Sequence, residues 1–124
     1  MDELSALAKA NPRKRMNKDL RTSSNDQSQR MLNALEPDTI IPIHRHIKST
    51  ETLVILRGKI VERYYNDNRE VIEEISMSPN GDIPMISIPV GQWHDLICQE
   101  SGTVIYESKD GAFEPISDND ILKV

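Results

Sequence analysis

Short apolar-rich runs dominate the chain from Gln29 onward. They are "QRMLNAL", "TIIPIHRH", "ETLVILR", "KIVERYY", "VIEEISM", "MISIPVG", "WHDLIC" and "TVIYESK", each bounded by Gly, Pro, Ser, Asp or Asn. Strands of this length, broken by turn signals roughly every ten residues, predict an all-β sandwich or small barrel. "NDNRE" and "SPNGDIP" read as turns between them. No helical pattern of useful length follows residue 30, and no repeat or low-complexity tract is evident. Upstream, residues 2–10 predict one short helix with Leu4, Leu7 and Ala8 on one face, ended by Pro12. Residues 11–27 are polar and basic. The expected organisation is an irregular or partly helical N-terminal arm over 1–27 and a β-domain over 28–124.

Length and composition fit that reading. The 124 residues suit one domain, and 37% hydrophobic with 28% charged residues is the balance of a soluble globular chain. The formal charge of −5 argues against bulk nucleic-acid binding, and aromatics are too few for a single-strand platform. The charge is uneven, however. Residues 1–30 hold seven Lys/Arg against four Asp/Glu, whereas the remainder holds eight against sixteen. The basic arm reads either as a solvated leader or as a phosphate-binding segment. The single cysteine, Cys98, permits no internal disulfide and fits a reducing compartment. "MDELSALAKANPRKR" lacks the apolar segment of a signal peptide, and no run approaches a membrane helix. The expectation is a cytoplasmic protein without membrane insertion.

Candidate chemistry lies with the histidines. The chain has three, and their placement is more telling than their number. His44 and His46 stand two apart in a segment that reads as β, so both imidazoles project from one face. Buried without partners they would be costly, and a metal ion on their neutral nitrogens removes that cost. Glu51 opens the next apolar run, on the face of Leu53 and Ile55. If 44–46 and 51–55 are neighbouring strands, the loop "IKST" returns its carboxylate to the level of the histidines. His94 follows the Pro89–Gly91 turn in "IPVGQWHDLIC". Together His44, His46, Glu51 and His94 make three nitrogens and one oxygen. That set suits one divalent first-row ion: zinc, iron(II), manganese or nickel.

These residues resemble the cupin superfamily. Its first motif has Gly, five residues, His-X-His, three or four residues, Glu, six residues and Gly. His44-Arg45-His46, four residues, Glu51, six residues and Gly58 match it, with Asp38 in place of the leading glycine. The second motif has Gly, five residues, Pro-X-Gly, two residues, His, three residues and Asn. Pro89-Val90-Gly91, two residues and His94 match, with Ile83 and Cys98 at the flanking positions. Within cupins, the chain looks similar to the WbuC-family cupin-fold metalloproteins in "NPRKRMN", "QSQRMLNALEPDTIIPIHRH", "ETLVILRG", "IPVGQWHDL" and "GAFEP". The resemblance implies a small barrel of two facing antiparallel sheets, jelly-roll-like, with the metal inside. It also implies a link to O-antigen or capsular polysaccharide synthesis, and cupin relatives suggest a homodimer.

Other residues are weaker candidates. Arg57 shares the face of Glu51, Leu53 and Ile55 and is a candidate for the pocket mouth. Arg30 and Asn33 are candidate substrate contacts. Tyr64, Tyr65 and Tyr106 are candidate proton donors, with strand core as the plainer reading. Trp93 faces away from His94, and Cys98 reads as core. No Gly-rich phosphate loop or G-X-S-X-G is present, and no histidine remains as a free general base once the three are ligands. Three functions follow: a metalloenzyme acting on a sugar or nucleotide sugar, such as an isomerase or epimerase; an iron-dependent oxygenase; and a non-catalytic small-ligand binder.

Overall fold

A computed structural model describes residues 1–122; residues 123–124, the end of the expected β-domain, lie outside the described residues. Helix α1 (Asp2–Ala10) leads into β1 (Arg15–Asp19) and β2 (Ser28–Leu35). Then come β3 (Glu51–Arg57), β4 (Ile60–Tyr65), β5 (Val71–Met77), β6 (Met85–Ile88), β7 (Trp93–Cys98) and β8 (Thr103–Asp110). One antiparallel sheet has the order β1-β2-β8-β3-β6 and the other β5-β4-β7. The expected all-β architecture of two antiparallel sheets is present, although the two sheets are not joined into a closed barrel.

The core lies between the sheets, as period-2 alternation requires. Leu35, Leu53, Ile55 and Ile105 from the larger sheet meet Ile60, Met77, Leu96 and Cys98 from the smaller one. Cys98 is therefore core, as expected. Along the same inward phases the residue character changes. Leu53 and Ile55 share a face with Glu51, Leu96 and Cys98 with His94, and Ile105 with Glu107 and Lys109. Apolar residues thus fill one end of the space between the sheets and polar residues line the other.

The turn from β3 to β4 is built on Gly58, the last residue of the first motif. Its φ of +86° lies in the left-handed region, and a Cβ there would stand 2.1 Å from Thr103 Oγ1 and 2.7 Å from Thr103 Cα. Both the backbone conformation and the close approach of β8 demand glycine.

Two expectations are corrected. Residues 1–27 are not simply irregular or helical, because β1 is an edge strand with Arg15 opposite Leu35 and Asp19 opposite Met31. α1 covers the outer face of the same sheet, where Ala8 packs with Ala34 and Val104, flanked by Leu4, Met16 and Leu32. The strand expected over 39–46 is also absent. Only His44 makes bridges, to His94 and Ile121. Pro42 offers no backbone N–H, which weakens any continuous ladder here.

Candidate metal centre

The segment 43–46 is tied down by backbone hydrogen bonds rather than by a sheet. His44 N donates to His94 O at 3.0 Å and His94 N to His44 O at 2.8 Å. Gly91 N donates to His46 O at 2.8 Å, Arg45 N to Asp120 O at 3.0 Å, and Leu122 N to Ile43 O at 2.8 Å. The expectation that 44–46 neighbours 51–55 as a strand pair is therefore corrected. His44 sits against β7, whereas Glu51 opens β3 in the other sheet and pairs with Ile88 and Lys109. The intervening Arg45 is clamped between the Asp120 carboxylate, 2.9 Å from its Nε, and the Trp93 ring, 4.3 Å from its Cζ. Trp93 in turn donates from Nε1 to Asp67 at 2.8 Å. Arg45, Trp93 and Asp120 thus hold the loop that carries two of the histidines.

Inside, the ligand atoms of His44, His46 and His94 all lie within 4.8 Å of one another. Glu51 Oε2 stands 3.3 Å from both His46 Nε2 and His94 Nε2. The four residues singled out in the sequence come together. His44 Nδ1 lies 2.8 Å from Pro42 O and His94 Nδ1 lies 2.9 Å from Gln92 O. A carbonyl can only accept, so the proton sits on Nδ1 and each Nε2 presents a lone pair to the cavity. His46 Nε2 and Glu51 Oε2 are buried and have no hydrogen-bond partner. Converging lone pairs facing an unpaired carboxylate oxygen are what a bound cation satisfies, so the residues fit a metal ion. The three-nitrogen, one-oxygen set fits a first-row divalent ion.

The electrostatics agree. Burial and the neighbouring His94 push His44 down to about 4, so its imidazole is neutral and able to ligate. Burial raises Glu51, but positive charge between its oxygen and the His46 and His94 nitrogens, whether a proton or a metal ion, together with Lys109 outweighs it and holds the carboxyl well below its usual range.

The polar cavity around this centre measures about 1110 Å³. It also holds residues that were not singled out. Glu62 is 1% exposed and neither carboxylate oxygen has a partner. Burial, then Glu51 and Glu107, raise it well above the usual carboxyl value. Burial, then Glu51, raise Glu107 to about 8. A signal for both was present in the alternation: Glu62 shares the phase of Ile60 in "KIVERYY", and Glu107 that of Ile105 in "TVIYESK".

The weaker candidates lie elsewhere. A β-bulge between Ile55 and Arg57 breaks the alternation of β3. Arg57 consequently meets α1, with Nη1 2.5 Å from Asp2 and Nη2 3.2 Å from Ser5 Oγ. Arg30 pairs with Asp26 at 2.9 Å, and Tyr106 stands opposite Leu32 and Val54 in the outward phase. None of these three lines the cavity, whereas Asn33 does. Tyr65 donates to Asp95 at 2.9 Å, and burial pushes Tyr64 and Tyr65 up to about 12.

A family model described as a domain of unknown function, DUF6016, matches residues 1–77, more than half the chain. The chain belongs to the DUF6016 family. No curated protein matches it. Solved structures do. The capsular polysaccharide assembling protein CapF from Staphylococcus aureus aligns at 22% identity and a TM-score of 0.68, over 87% of this chain and 32% of CapF. Oxalate oxidase in complex with the substrate analogue glycolate aligns at 12% and 0.67, over 87% and 56%. KdgF from Halomonas sp. aligns at 13% and 0.64, over 82% of each chain. This DUF6016 member therefore spans about a third of CapF and just over half of oxalate oxidase. At these identities the likeness shows the fold, which is the cupin fold expected from the two motifs.

Two outcomes test the centre. Protein purified without a metal-affinity step should carry about one divalent ion per chain by elemental analysis. His44→Ala and His94→Ala should each lower affinity by more than the roughly 10–100-fold that outer-shell partners contribute. Full occupancy in both variants would show that the ion sits elsewhere. The second outcome concerns Glu62 in metal-free protein. Its folded-state value is raised, so the folded chain keeps a proton that the unfolded chain releases above the ordinary carboxyl value. Stability is thus present at low pH and lost as pH rises. Glu62→Gln cannot ionise, so its stability relative to the parent should grow with pH between 5 and 8, by up to about 1.4 kcal/mol per unit. Urea midpoints that keep a constant separation over this range would contradict it.

Proposed function

We propose that this protein is a mononuclear metal-binding cupin of the WbuC type, cytoplasmic, that acts on a carbohydrate or nucleotide-sugar intermediate of cell-surface polysaccharide synthesis. The observation that carries the reading is the convergence of His44, His46, His94 and Glu51 on one side of a large polar cavity. When bound there, a divalent ion supplies Lewis acidity to a ligand oxygen such as a sugar hydroxyl or ketone. The chain's own residues supply the rest. His44 and His94, locked through Nδ1, hold fixed imidazole orientations. Glu62, buried and raised, holds a proton next to the centre and is the residue placed to give or take one at the substrate. CapF, a capsular polysaccharide assembling protein with the same fold, supports the pathway by analogy.

The test is incubation of metal-loaded protein with nucleotide sugars and polyprenyl-linked sugars, read by NMR and mass spectrometry. Binding with conversion of at least one member is the expected result. No interaction across the panel, together with turnover of another small molecule that consumes dioxygen, would favour the oxygenase instead.

The proposal extends to a homodimer. α1 already covers the outer face of the larger sheet at Val104, but Ile72 and Ile97 remain 59% and 40% exposed on the smaller one. Light scattering at micromolar concentration should give twice the chain mass; the mass of a single chain would remove this part.

A further inference from the structure

The cavity wall facing the metal residues is built by β1, β2 and β8, and its charges are not balanced like those elsewhere in the pocket. Arg15 and Asn17 lie in the inward phase of β1, opposite Leu35 and Asn33 of β2. Lys109 of β8 lies between Gln29 of β2 and Glu51 of β3. Two other cations of the cavity are already neutralised, Arg45 by Asp120 and Lys48 by Glu114. Among the described residues Arg13, Arg15 and Lys109, which also line it, take part in no ion pair. Arg15 spends one N–H on Ile40 O at 3.2 Å, which fixes the guanidinium and leaves most of its donors free. Of the acids on this wall, Asp19 in the inward phase of β1 is already bound to Arg21, Glu107 stands opposite Met31 and Leu53, and Asp110 lines the cavity at the end of β8. Nearby polar groups also lack partners: Asn33 Oδ1 and both oxygens of Glu62 are buried and unpaired.

We infer that this wall binds the anionic group of a small hydroxylated molecule, a carboxylate or phosphate, on Arg15 and Lys109, with Arg13 at the rim. The hydroxyls of the same molecule satisfy Asn33 and Glu62, and one of its oxygens faces the histidines. A planar guanidinium held in place suits bidentate recognition of such an anion, and a lysine beside it adds a point charge. The acidic chain as a whole repels anions, so a local basic wall is what admits one. A cavity of about 1110 Å³ has room for more than a single sugar ring. The assignment rests on the proposed reading of the cavity as a ligand site and narrows its substrate class to anionic sugars.

The experiment uses the full chain as purified, with its metal content measured first, and three probes: glucuronate, glucose 1-phosphate and glucose. Binding is followed by calorimetry for the parent, Arg15→Ala and Arg15→Lys. At least one anionic probe should bind about tenfold or more tightly than glucose. Arg15→Ala should erase that preference, and Arg15→Lys should restore part of it, with metal content unchanged in both. Which anion is preferred distinguishes a carboxylate from a phosphate ligand. Equal binding of all three probes, no binding of either anion, or an unchanged preference in Arg15→Ala would overturn the inference. The two readings fail separately. Protein without metal whose anion preference depends on Arg15 keeps this wall and removes the metal centre. Protein with metal and no such preference does the reverse.

Discussion

A buried carboxylate must meet positive charge, and the arrangement around Glu51 is organised by that requirement. Glu51 is 3% exposed, and its Oε2 faces two imidazole nitrogens at 3.3 Å. Because the His94 proton is committed to Gln92 O, its Nε2 offers a lone pair, not a hydrogen bond. Two acceptors at this separation repel unless a cation or proton lies between them. A cation there satisfies both groups, and the loop anchored by Arg45, Trp93 and Asp120 fixes the positions of the His44 and His46 nitrogens around it.

The same strands carry both the core and the centre. In β3 a single residue separates the candidate ligand Glu51 from the core residue Leu53, and in β7 the same spacing separates His94 from Leu96. Distortion of either strand would move ligand and core together. This coupling gives the ligands rigid mounts, which a site on loops alone would lack. It also explains why acids such as Glu62 are tolerated between the sheets. They lie where the apolar end gives way to the polar cavity, and they stay neutral at a cost in stability that a binding site can justify.

The N-terminal segment belongs to the site as much as to the fold. α1 packs on the outer face of the large sheet, while β1 turns Arg15 and Asn17 to its inner face. One short stretch of chain therefore covers apolar surface on one side and adds polar wall on the other. The basic bias of residues 1–30 has a structural place within the cavity and not only on the surface.

The run of strands and the inward core residues were legible in the sequence because period 2 is a local property, and the clustering of His44, His46, Glu51 and His94 was legible from two short motifs, one ending at Gly58 and one at His94. The helix over 2–10 was legible for the same reason. What lay beyond local pattern was decided by tertiary structure. The segment 39–46 reads as a strand but has no ladder partner, since its backbone is satisfied by β7 and residues 120–122. Arg57 has the right phase on paper, and a bulge one residue earlier sends it to Asp2. Glu62 and Glu107 look like ordinary strand glutamates until the second sheet removes them from water. The sequence by itself determined which residues could point inward; only the packing of two sheets decided which of them would share one space, because burial and charge proximity are properties of elements far apart in the chain.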